Sequence, residues 1–260
     1  MSVLFETEGP VARITIDRPE RMNAVDAETE AELIRIWDTI DADDSLRVAV
    51  LTGSGERAFC AGADMKAAGQ GGNVTGLDYW CAQKAAGFGG ISMRQLRVPL
   101  IARVNGLALG GGLEMVLGAD IVLAADHARF GLPEARVGRM PLDGGMVLLS
   151  RLIPEKQALG LMITGRMMPA SEAHRLGLVN AVVPTGDLDT EVARWCDDIL
   201  ACAPLSVRAI RAQVAATRSE APATVRARLT PEIRAALTSA DADEGVAAFL
   251  EKRAPRWSGH

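Results

Sequence analysis

The sequence has 260 residues, 48% of them hydrophobic, and a net charge of −5 at pH 7. This length suffices for one large domain, or for one domain with a helical appendage, and for a sizeable core. The negative net charge argues against nucleic acid as the main partner. No apolar run reaches about 18 residues, so we expect no membrane partner. The N-terminus does not have the pattern of a secretory signal, so we expect no secretion.

The cysteine and histidine content predicts a reducing, cytoplasmic location and no metal site. Four cysteines are scattered along the chain without a C-x-x-C pair, which is typical of free thiols: Cys60, Cys81, Cys196 and Cys202. His127 and His174 have no partner at the spacing of metal ligands. There is also no G-x-S-x-G, the commonest sign of a serine hydrolase.

The N-terminal part alternates strand and helix patterns. Residues 1–17 predict a β-hairpin around a Gly-Pro turn. Asp26 is placed to cap a helix whose apolar residues recur at helical spacing, namely Leu33, Ile36, Trp37 and Ile40. A β-branched run at 47–53 predicts a buried strand, and a loop is expected over 54–72.

The middle of the chain continues this alternation. Strands are predicted at 99–106, 120–126, 128–130 and 178–184, and helices at 77–97, 113–119, 143–152 and 154–163, the first interrupted by GFGG at 87–90. Strands that follow each other closely before the next helix favour strand–strand–helix units over a simple βαβ ladder.

After Pro184 the chain is rich in Ala and Arg and has no strand pattern, which predicts a bundle of three or four helices. We therefore divide it into an α/β core, residues 1–186, and a C-terminal helical region, residues 187–260.

A run of three glycines, 110–112, stands between a predicted strand and a predicted short helix. Backbone N–H groups at a helix start are unpaired and can bind an anion or an oxyanion. Close packing of helix on strand explains three glycines equally well, and both interpretations remain open. The spacing fits neither the dinucleotide fingerprint nor the Walker pattern.

Three further positions are candidates for chemistry. The turn 61–63 (Ala-Gly-Ala) can expose N–H groups, with Asp64 capping the next short helix, or it can be a plain tight turn. Glu114 and Glu134 lie in apolar, Gly- and Pro-containing surroundings. If they share one cleft, their repulsion raises one pKa and supplies an acid beside a base, although either one alone also fits a structural role.

The order of these segments resembles the crotonase (enoyl-CoA hydratase/isomerase) superfamily nearly from end to end. The matching motifs are DRPERMNAVD (17–26), LTGSGERAFCAGADMK (51–66), VPLIARVNGLALGGGLEM (98–115), ADIVLAADHARFGLPEARVG (119–138), ITGRMMPASEAHRLGLVNAVVP (163–184) and DEGVAAFLEKR (243–253). The resemblance implies a spiral of repeated ββα units and a C-terminal helical region that forms homotrimers, often paired into hexamers.

The same resemblance implies an acyl-CoA substrate, with CoA as part of the substrate and no separate cofactor. The N–H groups of Ala63 and Gly111 would hold the thioester oxygen, which becomes an enolate. Glu114 and Glu134 would hold the water in the reversible hydration of a 2-enoyl-CoA, with Glu114 as the base towards water at Cβ and Glu134 delivering the proton to Cα, or with the two sharing these duties.

CoA binding is assigned by resemblance to two groups of residues. The first comprises Arg21, Ala24, Ala61, Ala63, Asp64, Met65, Lys66 and Gly111. The second, Phe249 and Lys252, lies near the C-terminus, where Lys252 matches a residue that reaches the CoA phosphates of a neighbouring subunit. Lys66 and Lys252 also fit the description of ordinary surface lysines.

Within the superfamily the chain looks most like the carnitinyl-CoA dehydratase-like subgroup, with departures after Glu134. Leu142 and Asp143 stand where small residues are usual, and residues 146–148 are Met-Val-Leu where hydratases have Thr-Gln-Arg. Leu142 is expected to narrow the acyl pocket. Asp143 is a candidate third carboxylate, as in dienoyl-CoA isomerases, although it is one position off that pattern. The loop 67–97 helps to shape the acyl pocket in the family, and the acyl preference stays open.

Three other functions are possible for such a chain. An enoyl-CoA or dienoyl-CoA isomerase would move protons between carbons without adding water. A non-catalytic homologue would bind acyl-CoA, or RNA as one relative does, but the pair of acids and the negative charge count against it. A nicotinamide dehydrogenase would need a dinucleotide fingerprint, which this sequence lacks.

Overall fold

A computed structural model describes residues 2–65 and 85–260. The strands are β1 (Val3–Glu8), β2 (Val11–Ile16), β3 (Val48–Gly53), β4 (Ala58–Cys60), β5 (Leu100–Val104), β6 (Leu107–Leu109), β7 (Ile121–Ala125), β8 (Arg129–Gly131), β9 (Met168–Pro169) and β10 (Ala181–Val183). The α-helices are α1 (Ala27–Ala42), α2 (Gly111–Gly118), α3 (Gly145–Leu152), α4 (Glu155–Thr164), α5 (Ala170–Arg175), α6 (Leu188–Leu200), α7 (Pro204–Ala216), α8 (Pro222–Ala227), α9 (Pro231–Leu237) and α10 (Ala240–Glu251).

Two sheets form the core. The larger has the strand order β1-β2-β3-β5-β7-β10, with an antiparallel β1–β2 hairpin and parallel pairs thereafter. The smaller has the order β4-β6-β8-β9, and β4, β6 and β8 run parallel. Each of the consecutive pairs β3/β4, β5/β6 and β7/β8 thus contributes one strand to each sheet, which is the predicted strand–strand–helix repeat.

The structure confirms the central residues of the predicted hairpin and of the first predicted helix. The hairpin forms, and the Asp26 carboxylate caps α1 by accepting a hydrogen bond from the Thr29 N–H at 2.9 Å. Helix α1 buries Leu33, Trp37 and Ile40, which lie on one face, as their spacing predicts. The indole N–H of Trp37 donates to the Gly89 carbonyl at 2.8 Å and so ties α1 to the 87–92 segment.

Several boundaries were wrong because short strands carry too few residues to show a period. The predicted loop 54–72 contains β4, and the predicted strand 99–106 ends at Val104, after which β6 follows. The last predicted strand, 178–184, is reduced to β10. Of the predicted helix 77–97, residues 77–84 lie outside the described residues, and 85–97 hold only a 3-10 turn at Phe88–Gly90, where Gly89 and Gly90 have positive φ.

Helix α6 covers the outer face of the larger sheet. Its residues Leu188, Val192 and Cys196, spaced four apart, pack on Val48 and Val50 of β3 and on neighbouring strands. The next residues of β3, Ala49 and Leu51, point to the opposite face and join the main core. Both faces of β3 are therefore buried, which explains its unbroken apolar run.

The C-terminal part contains five α-helices in the described residues, not three or four. Pro204, Pro222 and Pro231 each stand at the start of a helix, where the missing N–H costs nothing. The division at 186/187 stays a prediction. Among the described helices no single one has the length and apolar character to cross a membrane, whereas Thr185–Leu200 with Pro204–Ala216, bent by 102°, meets that test only as a pair.

Candidate active site

Three loops of the candidate site follow the carboxyl ends of β4, β6 and β8. These parallel neighbours place residues 61–65, the glycine run and Glu134 at one edge of the smaller sheet. The N–H of Gly110 donates to the carbonyl of Gly131 at 2.9 Å, which joins two of the loops directly. The fold therefore gathers segments that are widely separated in the sequence.

Ala63 presents an N–H group without an acceptor. A parallel bridge joins Val25 to Ala63, in which the Val25 N–H donates to Gly62 O and the Asp64 N–H donates to Val25 O, each at 2.9 Å. In such a bridge the N–H of Ala63 points away from Val25. In residues 2–65 and 85–260 it has no hydrogen-bond acceptor, and Ala63 is exposed.

Each of the three glycines, 110–112, is required by a different steric constraint. Gly110 has φ of 54°, and a Cβ there would lie 3.1 Å from Oε1 of Glu134. A Cβ on Gly111 would lie 2.6 Å from the ring of Phe88, and one on Gly112 would lie 2.1 Å from the carbonyl oxygen of Cys60. The packing interpretation is confirmed for Gly112, which allows close approach of helix and strand. The oxyanion interpretation stays a prediction for Gly111, which begins α2 with an N–H that no described group accepts.

The carboxyl of Glu114 is buried and held by the backbone. Its Oε1 accepts hydrogen bonds from the N–H groups of Asp143 at 2.8 Å and Gly145 at 2.9 Å, at the start of α3. Only 3% of the residue is exposed. Two N–H donors at a helix start stabilise negative charge on this oxygen.

Glu134 begins a 3-10 turn, Glu134–Val137, directly after Pro133. It is half-buried, and its Oε2 is buried without a hydrogen-bond partner in the described part of the chain. A carboxyl oxygen with no donor is better tolerated in the protonated acid than in the carboxylate.

Burial is the main cause that raises the pKa of both acids. It raises the pKa of Glu114 to about 8, and the negative charges of Asp143 and Glu134 act in the same direction, while the N–H donors of Gly145 and Asp143 oppose them. Burial also raises the pKa of Glu134. The charge of Glu134 thus acts on Glu114, and both carboxyls favour the protonated form more than a free glutamate does.

Arg18 fixes the 61–65 segment, a role that its sequence context did not predict. Its guanidinium contacts Asp64 at 3.1 Å and Asp26 at 2.7 Å, and it donates to the carbonyl of Ala24. Arg18 and Asp64 are largely buried, with side-chain exposures of 15% and 6%. One cation thus holds the carboxylates on both sides of the Val25–Ala63 bridge.

The Arg18→Met variant is expected to lose about 3 kcal/mol in the free energy of unfolding, because it removes the cation that both carboxylates contact at low exposure. Urea unfolding at pH 7 measures this loss. The matched control is Arg13→Met, which breaks the exposed pair with Glu8, whose side chains are 37% and 77% exposed. Equal urea midpoints for the two variants would show that the Arg18 contacts are not what holds this segment.

Buried Asn105 was also missed. Its Nδ2 donates to the carbonyls of Gly53, Gly55 and Ala58 at 2.6–3.2 Å, and so fixes the turn that leads into β4. A polar residue within an apolar run, as in VNGLAL, is the signal that could have revealed it.

The predicted CoA-binding residues fall into two places. Around the 61–65 segment, Ala24 and Asp64 are buried, Ala61 is half-buried, and Arg21 and Met65 are exposed; Lys66 lies outside the described residues. Phe249, 82% exposed, and Lys252 lie at the end of α10. No hydrogen bond or ion pair among the described residues joins them to the 61–65 segment of their own chain.

The remaining predicted features concern the acyl pocket and metal binding. Leu142 and Asp143 are half-buried beside Glu114, and the described part of the 67–97 loop packs Phe88 on Gly111. In the described residues no group of three or more His, Cys, Asp or Glu is arranged to hold a metal ion.

Comparison with known proteins gives matches over the whole chain. The family model described as enoyl-CoA hydratase/isomerase matches residues 6–260. A carnitinyl-CoA dehydratase of Proteus mirabilis (strain HI4320) is 40% identical over 263 residues, covering 99% of this chain and 98% of the relative. The crystal structure of an enoyl-CoA hydratase from Mycobacterium tuberculosis H37Rv matches with a TM-score of 0.91 at 38% identity, covering 100% of this chain and 99% of that one. That of a carnitinyl-CoA hydratase from Mycobacterium avium matches with a TM-score of 0.76 at 37% identity, with the same coverage.

Proposed function

Since the chain belongs to the enoyl-CoA hydratase/isomerase family and is an enzyme of the hydro-lyase type, we propose that it adds water reversibly to a 2-enoyl-CoA thioester. The predicted superfamily, the likeness to carnitinyl-CoA dehydratases and the α/β crotonase fold are confirmed by these similarities, while the trimerisation role of the C-terminal helices stays a prediction. The observation that carries the proposed reaction is the pair of acids, buried Glu114 and half-buried Glu134, beside two N–H groups that lack acceptors among the described residues.

The two N–H groups, of Ala63 and Gly111, are proposed to bind the thioester oxygen. Negative charge develops on this oxygen when water adds to Cβ and an enolate forms. Preorganised donors of this kind stabilise a transition state by about 3–4 kcal/mol each. Their position on two loops held by Arg18 and by the close packing of Gly112 supports this role.

Glu114 is proposed as the base that takes a proton from water, and Glu134 as the acid that delivers a proton to Cα. The contacts support this division, because the Glu114 carboxylate accepts two backbone N–H bonds whereas Oε2 of Glu134 accepts none from the described residues. In the dehydration direction the two exchange roles.

No cofactor beyond the CoA of the substrate is proposed. CoA is proposed to lie along the 61–65 segment with Arg21, Ala24 and Lys66, and Phe249 and Lys252 are proposed to reach the CoA of a neighbouring subunit in a homotrimer or a hexamer. The lack of any hydrogen bond or ion pair, among the described residues, between these two residues and the 61–65 segment of their own chain supports a role between subunits. Exposed apolar residues on the C-terminal helices point the same way: Ile210, Val214, Leu237, Val246, Phe249 and Leu250.

The test is an assay of acyl-CoAs by the absorbance of the conjugated thioester. Crotonyl-CoA and longer 2-enoyl-CoAs test the general reaction, and carnitinyl-CoA is included because the relatives carry that name. Incorporation of 18O from labelled water distinguishes hydration from isomerisation. If no thioester reacts but acyl-CoA still binds, the non-catalytic alternative replaces the proposal.

The rate is expected to increase by about fiftyfold as the pH rises from 6 to 8, because the base must be ionised and burial raises the pKa of Glu114 to about 8. The dependence of kcat/KM on pH measures this in the free enzyme. The residual activity of Glu114→Gln should lack this increase. A wild-type profile already level at pH 6 would contradict the assignment of the base.

A further inference from the structure

The GFGGIS segment, residues 87–92, lies against both halves of the proposed site. At one end the ring of Phe88 covers the Cα of Gly111, where an added Cβ would lie 2.6 Å from the ring atoms. At the other end the hydroxyl of Ser92 donates to the carbonyl of Asp143 at 2.5 Å. Ser92 is 1% exposed, so this contact is shielded from water.

The backbone of Ser92 is fixed to the same helix that carries Glu114. A Cβ on Gly118, at the end of α2, would lie 2.8 Å from Ser92 O and 2.9 Å from Ser92 Cα, so helix and segment touch through their main chains. The Ser92 N–H donates to Phe88 O at 3.2 Å, and the Gly90 N–H donates to Gly87 O at 3.1 Å. The segment therefore packs directly on the end of α2.

The hydroxyl of Ser92 holds the middle of the loop that binds Glu114. The carbonyl of Asp143 belongs to the peptide unit between the two N–H groups, of Asp143 and Gly145, that donate to Oε1 of Glu114. Gly87 leaves room for this hydroxyl, because a Cβ there would lie 2.2 Å from Ser92 Oγ. The contacts therefore run from α2 to the Ser92 hydroxyl, from there to the 141–145 loop, and from the loop back to the Glu114 carboxyl on α2.

We propose that Ser92 is a positioning residue for Glu114: its hydroxyl holds the Asp143 carbonyl and thereby keeps both N–H donors aimed at the Glu114 carboxylate. The inference rests on the proposed function for its kinetic effect, but not for its structural one. Loss of the hydroxyl removes this hydrogen bond to the Asp143 carbonyl and loosens the loop, which weakens the two N–H bonds that favour the charged form of Glu114.

The charged surroundings of Glu114 determine the sign of the effect. Asp143 faces it from the 141–145 loop and Glu134 from the 3-10 turn after β8, and both oppose its ionisation or compete for its proton. From β4 the nearest titratable group is Cys60, whose pKa burial raises to about 12, so it stays neutral. The two N–H bonds are the main favourable contacts of the Glu114 charge, and weakening them moves its titration to higher pH.

The experiment compares Ser92→Ala with the wild type and with Ser150→Ala, which removes a hydroxyl–carbonyl bond (to Met146, 3.3 Å) elsewhere on α3. The increase of kcat/KM with pH is expected to move upward by about 0.5–1 pH unit in Ser92→Ala only. The rate should fall about fivefold at pH 7 and recover near pH 9. In a Glu114→Gln background the Ser92→Ala change should have no further effect.

The carboxyl 13C resonance of Glu114, assigned by its loss in Glu114→Gln, gives a readout that needs no substrate. An upward shift of its titration midpoint in Ser92→Ala supports the inference even if no acyl-CoA is hydrated, in which case only the proposed function fails. An unchanged midpoint overturns the inference, and so does a rate loss that is equal at pH 7 and pH 9.

Discussion

The Glu114→Gln variant is expected to lose about 10³-fold in kcat while its KM changes little. Glutamine keeps the size of the side chain, and its Oε1 can still accept the N–H bonds of Asp143 and Gly145. What it removes is the ability to take a proton from water. Steady-state kinetics with a saturating 2-enoyl-CoA measure the loss.

The same substitution is expected to stabilise the protein at high pH. The folded-state pKa of Glu114, about 8, lies above its ordinary value of 4.5. As the pH rises between these values the unfolded chain loses the proton while the folded chain keeps it, so the folded state loses stability, and the penalty is complete above pH 8. Glutamine carries no such penalty. Its Tm relative to wild type should therefore be higher at pH 9 than at pH 5.

Loss of activity together with a gain in stability separates a catalytic role from a structural one. The control is Glu155→Gln, an exposed acid at the start of α4, which should change neither the rate nor the Tm. A Glu114→Gln enzyme that retained a tenth of the wild-type kcat would exclude Glu114 as the base.

Sequence periodicity could predict the long elements because each shows its buried face several times. Helix α1 repeats its apolar residues over several turns, and β3 is apolar along most of its length. β4 and β6 have three residues each, too few to establish a period, and they depend on pairing with their neighbours, β4 with β6 and β6 also with β8. β4 and β6, which lead into the site, are therefore strands of the smaller sheet that the sequence did not show, whereas β8 was predicted at 128–130.

The candidate site likewise has residues that the sequence could predict and contacts that only the structure shows. Ala63, Gly111, Glu114 and Glu134 could be named, because glycine runs and acids in apolar surroundings are visible in the sequence and the resemblance assigns them roles. That Glu114 and Glu134 interact follows only from the adjacent ends of β6 and β8. The donors to Glu114 are backbone N–H groups, and because almost every residue has one, the sequence does not indicate which of them donate.

The same limit applies to residues that act through the main chain. Ser92 and Arg18 both hold carbonyl groups, and their types occur throughout the chain. The sequence alone does not distinguish Ser92 from Ser150. Ser92 donates a hydrogen bond to the loop that binds Glu114, whereas Ser150 donates one to a carbonyl of its own helix. Packing, and not residue type, makes the difference.

The Gly112→Ala variant is expected to lose about 3 kcal/mol in the free energy of unfolding, at the upper end for a group added to a packed core. The new Cβ would lie 2.1 Å from the carbonyl oxygen of Cys60 and 2.8 Å from its carbonyl carbon. Both are backbone atoms of β4, so no side-chain rotation relieves the contact. Either α2 or β4 must move, and each carries part of the site.

The matched control is Gly160→Ala, where a Cβ meets nothing within 4 Å in the interior of α4. There alanine should stabilise the protein by about 0.5–1 kcal/mol, because it restricts the unfolded chain. The same substitution, glycine to alanine, is therefore expected to lower the free energy of unfolding at position 112 and to raise it at position 160, and urea unfolding of both variants measures the two changes. A Gly112→Ala protein as stable as wild type would mean that close packing is not what requires this glycine. The expected result, with activity lost as well, would mean that the contact of α2 with β4 sets the distance between Gly111 and Ala63.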